Sequence, residues 1–302
     1  MVMQASGGPS WSPDPESGIT IDFVEAGELT FEVAQAGEGD HLAILLHGFP
    51  ELHYSWRGQM PLLAEMGYRV WAPNLRGYGG TSRPERVVNY SFDKLLADIG
   101  ALIDASGAKK VTLICHDWGG LIGWRFAILK TRPLERFVAM NIPHPLALRR
   151  QSRNLKQLRK SWYIFFFQIP WLPETLFGTN GAKRIGDIFL NTSCNPEQFG
   201  RDVREVYRQA AARPGALKAM IHYYRALFRG RQVFNVGDGR VEVPTLMIFG
   251  EQDVAIETSA IEGTEKWVPH YTVKRLPDAS HWVQQDAPDE VNAILKDWLP
   301  KA

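Results

Sequence analysis

The chain has 302 residues, room for one α/β domain of roughly 200–250 residues plus an insertion. Apolar residues make up 45% of it, enough for a large core, and 34 Lys+Arg against 33 Asp+Glu leave a formal net charge of +1. Bulk charge therefore advertises neither nucleic acid nor an anionic membrane, and two cysteines, Cys115 and Cys194, suggest no disulfide framework.

The first residues, "MVMQASGGPSWSPDPESG", carry no basic segment followed by an apolar run. They read as a flexible arm over 1–18. No stretch approaches the ~18 consecutive apolar residues of a membrane span, so a cytoplasmic location is expected. "ITIDFVEAG" and "LTFEVAQAG" alternate and predict an opening hairpin. "HLAILLHG" is continuously apolar, as a strand covered on both faces must be. "SWRGQMPLLAEMG" predicts a helix stopped by Gly67, "YRVWAPNL" another buried strand and "GYGGTSRPE" a loop. "SFDKLLADIGALIDASG" predicts a helix from an Ser91 cap to Gly107. Strand "KKVTLICHD", helix "WGGLIGWRFAILK" and strand "LERFVAMNIP" continue the alternation that marks a parallel sheet covered by helices.

The rhythm stops at 144–240, where helical patterning rich in Arg and aromatics contains no convincing buried strand. It resumes with "VPTLMIFGEQD" and "YTVKRLPDAS", and "APDEVNAILKDWL" predicts a closing helix. The expected architecture is an α/β core over 19–143 and 241–302 with a helical cap at 144–240. "GRQVFNVGDGRVE" is its return linker.

Ligands of open parallel sheets gather where strands turn into helices at the carboxyl edge. Asp117 sits at such a turn, with Cys115 before it and Gly119 after it in a small-x-nucleophile-x-small pattern. Alone, it is equally an ordinary helix N-cap. "HGFPE" follows the third strand, where the loop amide of Phe49 and the amide of Trp118 would form an oxyanion hole, although "HGFP" also reads as a plain turn. Asp253 and His281 each lie just past a later strand, in the chain order nucleophile, acid, histidine.

Taken together, "HGFPE", "LRGYGGTSRP", "HDWGG", "GEQD" and "DASHW" resemble the soluble epoxide hydrolases of the α/β-hydrolase superfamily, from about residue 20 onward. "HDWGG" is shared with haloalkane dehalogenases. The fold this implies is the α/β-hydrolase fold, a mostly parallel sheet flanked by helices with an inserted helical cap. A carboxylate is ionised at neutral pH and can attack a saturated carbon, leaving a histidine free to activate water against the resulting ester. An epoxide oxygen leaves as a basic alkoxide and needs a strong donor, which a phenol of pKa about 10 supplies. The resemblance assigns that role to Tyr163, in a Y-x4-Q-x-P segment, and to Tyr224, just before an Arg. Tyr223 is set aside because one helical step turns it about 100° away. Without the rest of the set, these tyrosines would be packing aromatics.

Haloalkane dehalogenase is the alternative reading with the same nucleophile; Trp118 suits a halide, whereas Phe49 cannot donate from its side chain. Trp118 and Leu121 stand where fluoroacetate dehalogenases carry arginines. The expected substrate is a small lipophilic epoxide, in a pocket formed by His47, Pro50, Trp56, His116, Trp162, Phe165 and Phe166, with Trp118, Phe167 and Trp171 as further aromatics expected to line it. No metal is expected, since no His-Glu-x-x-His or Cys-x-x-Cys spacing occurs. "GYGGTS" lacks the full pattern of a nucleotide loop, so no cofactor is expected. Neither is a nucleic-acid partner or a membrane span, and the chain is expected as a monomer or homodimer.

Overall fold

The computed structural model describes residues 2–3, 8–151, 153–230 and 235–302. Strands β1 (Thr20–Ala26), β2 (Leu29–Ala36), β3 (His41–Leu46), β4 (Arg69–Pro73), β5 (Lys110–His116), β6 (Arg136–Met140), β7 (Thr245–Gly250) and β8 (Tyr271–Leu276) form one 8-stranded sheet. Their spatial order is β8-β7-β6-β5-β3-β4-β2-β1. The β1–β2 hairpin and the β2–β4 pair are antiparallel, and every other neighbour is parallel.

The apolar runs that predicted two-sided burial have it. In β3, Leu42, Ile44 and Leu46 enter one core while Ala43 and Leu45 enter the other, as period-two side chains must. The first core packs helices α2 (Phe92–Ser106) and α3 (Asp117–Ile128) through Leu95, Ile99, Ile122 and Phe126. The second packs α1 (Met60–Glu65) and the closing helix α11 (Pro288–Trp298) through Leu63, Val291 and Leu295. Each fully buried side chain of this size stabilises the fold by about 1.5–3 kcal/mol.

Between β6 and β7 lie α4 (Pro145–Gln151), α5 (Leu155–Lys160), α6 (Trp162–Phe166), α7 (Leu172–Thr192), α8 (Arg201–Ala212) and α9 (Ala216–Gly230). Helix α7 is broken by non-helical backbone at 179–182. The short α10 (Val283–Asp286) precedes α11.

Three expectations differ in detail. The helix expected from Ser55 is a 3-10 turn over His53–Trp56, and α1 itself starts at Met60, just ahead of Pro61. Proline suits a first helical turn, where its missing N–H has no partner to lose. The expected loop at 77–85 contains a two-residue bridge, Arg83–Pro84, paired antiparallel with Val2–Met3. The arm expected to be flexible over 1–18 is anchored at residues 10 and 11, although most of its other described side chains are exposed. Ser10 is buried and its amide and hydroxyl donate to the Glu32 carboxylate. Trp11 meets Tyr54 edge-on at 4.8 Å. The sequence hid this because its anchor, Glu32, is a buried acid in a strand. The rest of that arm, residues 1 and 4–7, and residues 231–234 of the expected return linker lie outside the described residues.

Candidate active site

The chain turns from β5 into α3 within a single residue. His116 is still extended at φ −128°, whereas Asp117 is left-handed at φ 47°. That conformation costs an L-residue roughly 1–2 kcal/mol and holds its side chain up at the sheet's carboxyl edge. The sharp bend brings Gly119 so close to β3 that a Cβ there would lie 2.3 Å from the Leu46 carbonyl oxygen. A Cβ on Gly48 would lie 2.4 Å from the Asp117 Cβ, so glycine at both places is a steric requirement.

Asp117 Oδ1 accepts from the Phe49 amide at 2.8 Å, and Oδ2 lies 3.5 Å from His281 Nε2. The other ring nitrogen, His281 Nδ1, is 2.7 Å from Asp253 Oδ2. Asp253 is buried and fully engaged: its Oδ1 accepts from the Ala255 and Ile256 amides at 2.6 and 2.9 Å, and its Oδ2 also accepts from Asn141 Nδ2 at 2.7 Å. Burial alone would raise both carboxyl pKa values. For Asp117, the His281 hydrogen bond and charge outweigh it, and for Asp253 the His281 charge does, followed by its hydrogen bonds. Both are held below the usual aspartate value. Burial works to lower the His281 pKa, and its two carboxylate neighbours instead drive it well above the ordinary imidazole value.

Tyr163, on α6, and Tyr224, on α9, line the same cavity as Asp117, with ring centroids 5.8 Å apart. Burial is the main reason both phenol pKa values rise, and the Asp117 charge adds to it. Tyr223 points elsewhere: its hydroxyl donates to the Arg76 carbonyl at 2.8 Å in the core. The Tyr163 and Tyr224 segments are clamped together. Arg225 donates to the Phe167 and Ile169 carbonyls at 3.0 and 2.8 Å and pairs with Glu174. Gln168 reaches across to the Tyr224 carbonyl at 3.1 Å.

The cavity has a volume of about 500 Å³ and a mostly apolar lining in which aliphatic side chains mix with aromatic ones. Of the aromatics expected to form it, Trp118 and Phe165 line it. Trp56 does not; it is fully buried in the core on the other face of the sheet. Trp162 and Trp171 point outward, at 63% and 72% exposure, and Phe166 packs at an angle against Phe167 and edge-on against Phe177 instead of facing the cavity. Phe167 is buried behind Tyr224, 4.8 Å ring to ring. His47 is buried and bonded to its own loop, between the Gly48 carbonyl and the Leu75 amide, and Pro50 is buried beside it. His116 lies beneath the site: Nδ1 is 2.6 Å from Glu51 Oε2 and Nε2 is 2.8 Å from the His281 carbonyl. Glu51 also accepts from the Gly48 amide, Gln284 and Gln285, joining the Phe49 loop to the His281 loop.

Sequence reasoning missed the aliphatic lining, including Leu121, Leu148, Ile164 and Leu227, because single aliphatic residues in helices carry no local signal. It set Asn141 aside as offering no carboxylate at its strand end, and gave Glu51 no role; the adjacency of Glu51 to "HGFP" was the one available hint for the latter. Among the described residues, no cluster of three or more His, Cys, Asp or Glu is arranged to hold a metal ion.

A mostly parallel sheet of this strand order with an acid at the elbow defines an α/β-hydrolase, and the alpha/beta hydrolase fold family model matches residues 44–288. Epoxide hydrolase 4 of Homo sapiens is 38% identical over 290 residues, covering 94% of this chain and 76% of the relative. The AB hydrolase superfamily protein YfhM of Bacillus subtilis is 36% identical, covering 93% and 98%. A Bacillus megaterium epoxide hydrolase solved with an inhibitor superposes with TM-score 0.82 at 27% identity, over 91% of this chain and 99% of that one. This chain belongs to the epoxide hydrolase family of the α/β-hydrolase superfamily.

Proposed function

We propose that this protein converts lipophilic epoxides and water into vicinal diols through a covalent ester on Asp117, without a cofactor. The observation that carries the reading is that Asp117 faces a mostly apolar cavity while two protonated phenols, Tyr163 and Tyr224, share that cavity with it. The carboxylate attacks a ring carbon as the phenols donate to the departing oxygen. A halide would need no such acid, which favours an epoxide over the dehalogenase alternative.

The second step follows from charge. Before reaction, His281 sits between two carboxylates, which hold its proton. Ester formation neutralises Asp117, so one of the two attractions disappears and the neutral imidazole becomes accessible. His281 then takes a proton from the water that attacks the ester carbonyl, and Asp253 stabilises the imidazolium. The Phe49 amide already donates to Asp117 Oδ1, the atom that becomes the oxyanion, and the Trp118 amide is its intended partner.

Single turnover in heavy-oxygen water with enzyme in excess tests this. The first diol should carry an unlabelled Asp117 oxygen, and His281→Gln should accumulate the ester, visible as added intact mass. Label in the first diol would overturn the ester route. Halide release without any epoxide turnover would overturn the substrate class.

A further inference from the structure

The near-zero net charge of the chain conceals a segregated face. Six of the twelve residues 149–160 are Arg or Lys, none is acidic, and the next acid along the chain is Glu174. Lys160 pairs with Glu257 and Arg150 donates to the Glu262 carbonyl. Arg149, Arg153, Lys156 and Arg159 make no ion pair among the described residues. Interleaved with these cations is a row of solvent-exposed apolar side chains: Leu155, Leu158, Trp162 and Phe165. Their spacing of three, four and three residues places them on one side of consecutive helices α5 and α6. Phe228 extends the row, its ring 5.7 Å from that of Phe165 and itself half exposed.

Leu158, Phe165 and Phe228 also line the Asp117 cavity, so the mouth of the cavity opens within this row. Water-facing Trp, Phe and Leu gain nothing where they are, and a rim of one charge sign selects the opposite sign in whatever covers them. An apolar face with Trp and Phe, flanked by unpaired Arg and Lys, has the composition of a helix surface that lies in a bilayer interface.

We propose that the α5–α6 face docks on an anionic phospholipid surface, with the cavity mouth turned toward the acyl chains. On the epoxide reading above, a bilayer-dissolved epoxide then enters without crossing water; the docking itself does not depend on that reading.

The test is flotation of the full chain with vesicles of phosphatidylcholine, alone or with phosphatidylglycerol, at low and high ionic strength. Binding is expected on the anionic vesicles at low salt and should weaken as salt rises. Reversing three exposed cations together, Arg153→Glu, Lys156→Glu and Arg159→Glu, should weaken it by at least about 100-fold, since each basic residue near such a surface is worth about fivefold. Leu155→Asn should weaken it without altering charge. Both variants should turn over a water-soluble epoxide at the parent rate. Absence of flotation at low salt, equal binding to neutral and anionic vesicles, or parent-like binding by the triple variant would each overturn the proposal. So would light scattering showing a Leu155-dependent dimer that does not float. Flotation is read without turnover, so failure of the epoxide reading would leave this result standing.

Discussion

Asn141 is the residue on which the acid–histidine pair most depends without touching the cavity. Its Nδ2 donates to Asp253 Oδ2 at 2.7 Å, the same oxygen that faces His281 Nδ1. Its Oδ1 accepts from the buried Gly250 amide at 2.9 Å, and it holds a left-handed backbone at φ 48°. Asn141→Gly keeps that backbone relaxed and removes only the side chain. A charge-assisted hydrogen bond is worth about 1.5–3 kcal/mol and an orphaned buried amide costs about 1–3 kcal/mol, so a loss of roughly 2.5–6 kcal/mol is expected. Asn141→Ala loses the same bonds and adds about 1 kcal/mol for an alanine in left-handed backbone. Urea unfolding of parent, Gly and Ala variants measures both differences. Single-turnover ester hydrolysis should slow at least about tenfold, because His281 loses the firm anchoring of its partner. If Asn141→Gly unfolds within about 1 kcal/mol of the parent, the account of Asp253 as a carboxylate held by Asn141 is wrong.

Arg225→Lys should keep a charge opposite Glu174 but lose the fork that grips the Phe167 and Ile169 carbonyls. Transient kinetics should show slower ester formation with little change in ester hydrolysis; equal slowing of both steps would deny Arg225 a role in setting the two phenols. The rate of ester formation should stay level from about pH 5 to 9, because Asp117 ionises below the ordinary aspartate value and both tyrosines above the ordinary phenol value. An alkaline loss centred near pH 8 would contradict the raised phenol values. In the second step, ester hydrolysis should rise with pH as His281 loses its proton.

Acid stability should depend on Glu32. Burial would raise its pKa, but His53 and then the Ser10 and Gly80 amides bring it down to about 2. A depressed carboxylate contributes stability above its unfolded pKa and loses it as pH falls through the folded one, here from about 4.5 towards about 2. The shift corresponds to roughly 3 kcal/mol. Glu32→Gln should flatten the acid-unfolding profile in that window, and an unchanged profile would locate the acid sensitivity elsewhere.

The fold was legible because its signals are local. Continuous apolar runs gave β3, β5 and β7, alternation gave the β1–β2 hairpin, and Gly107, left-handed at φ 64°, stops α2 where expected. Asp117, Asp253 and His281 were legible because each follows a strand at the carboxyl edge, where topology collects them whatever lies between. Trp56, Trp162 and Phe166 were misplaced for the opposite reason: aromatic identity says that a ring will pack, but not against what.

Sequence by itself determined the elements, the strand rhythm and the acid at the elbow, since backbone pattern and sterics act over a few residues. Only the tertiary structure decided which side chains face the cavity and that Asn141 shares an oxygen with His281 across 140 residues of chain. It alone turned four scattered apolar residues of α5 and α6 into one exposed row at the cavity mouth. Such contacts depend on how helices rotate against the sheet, and that is fixed by packing of the whole core, not by any short stretch of sequence.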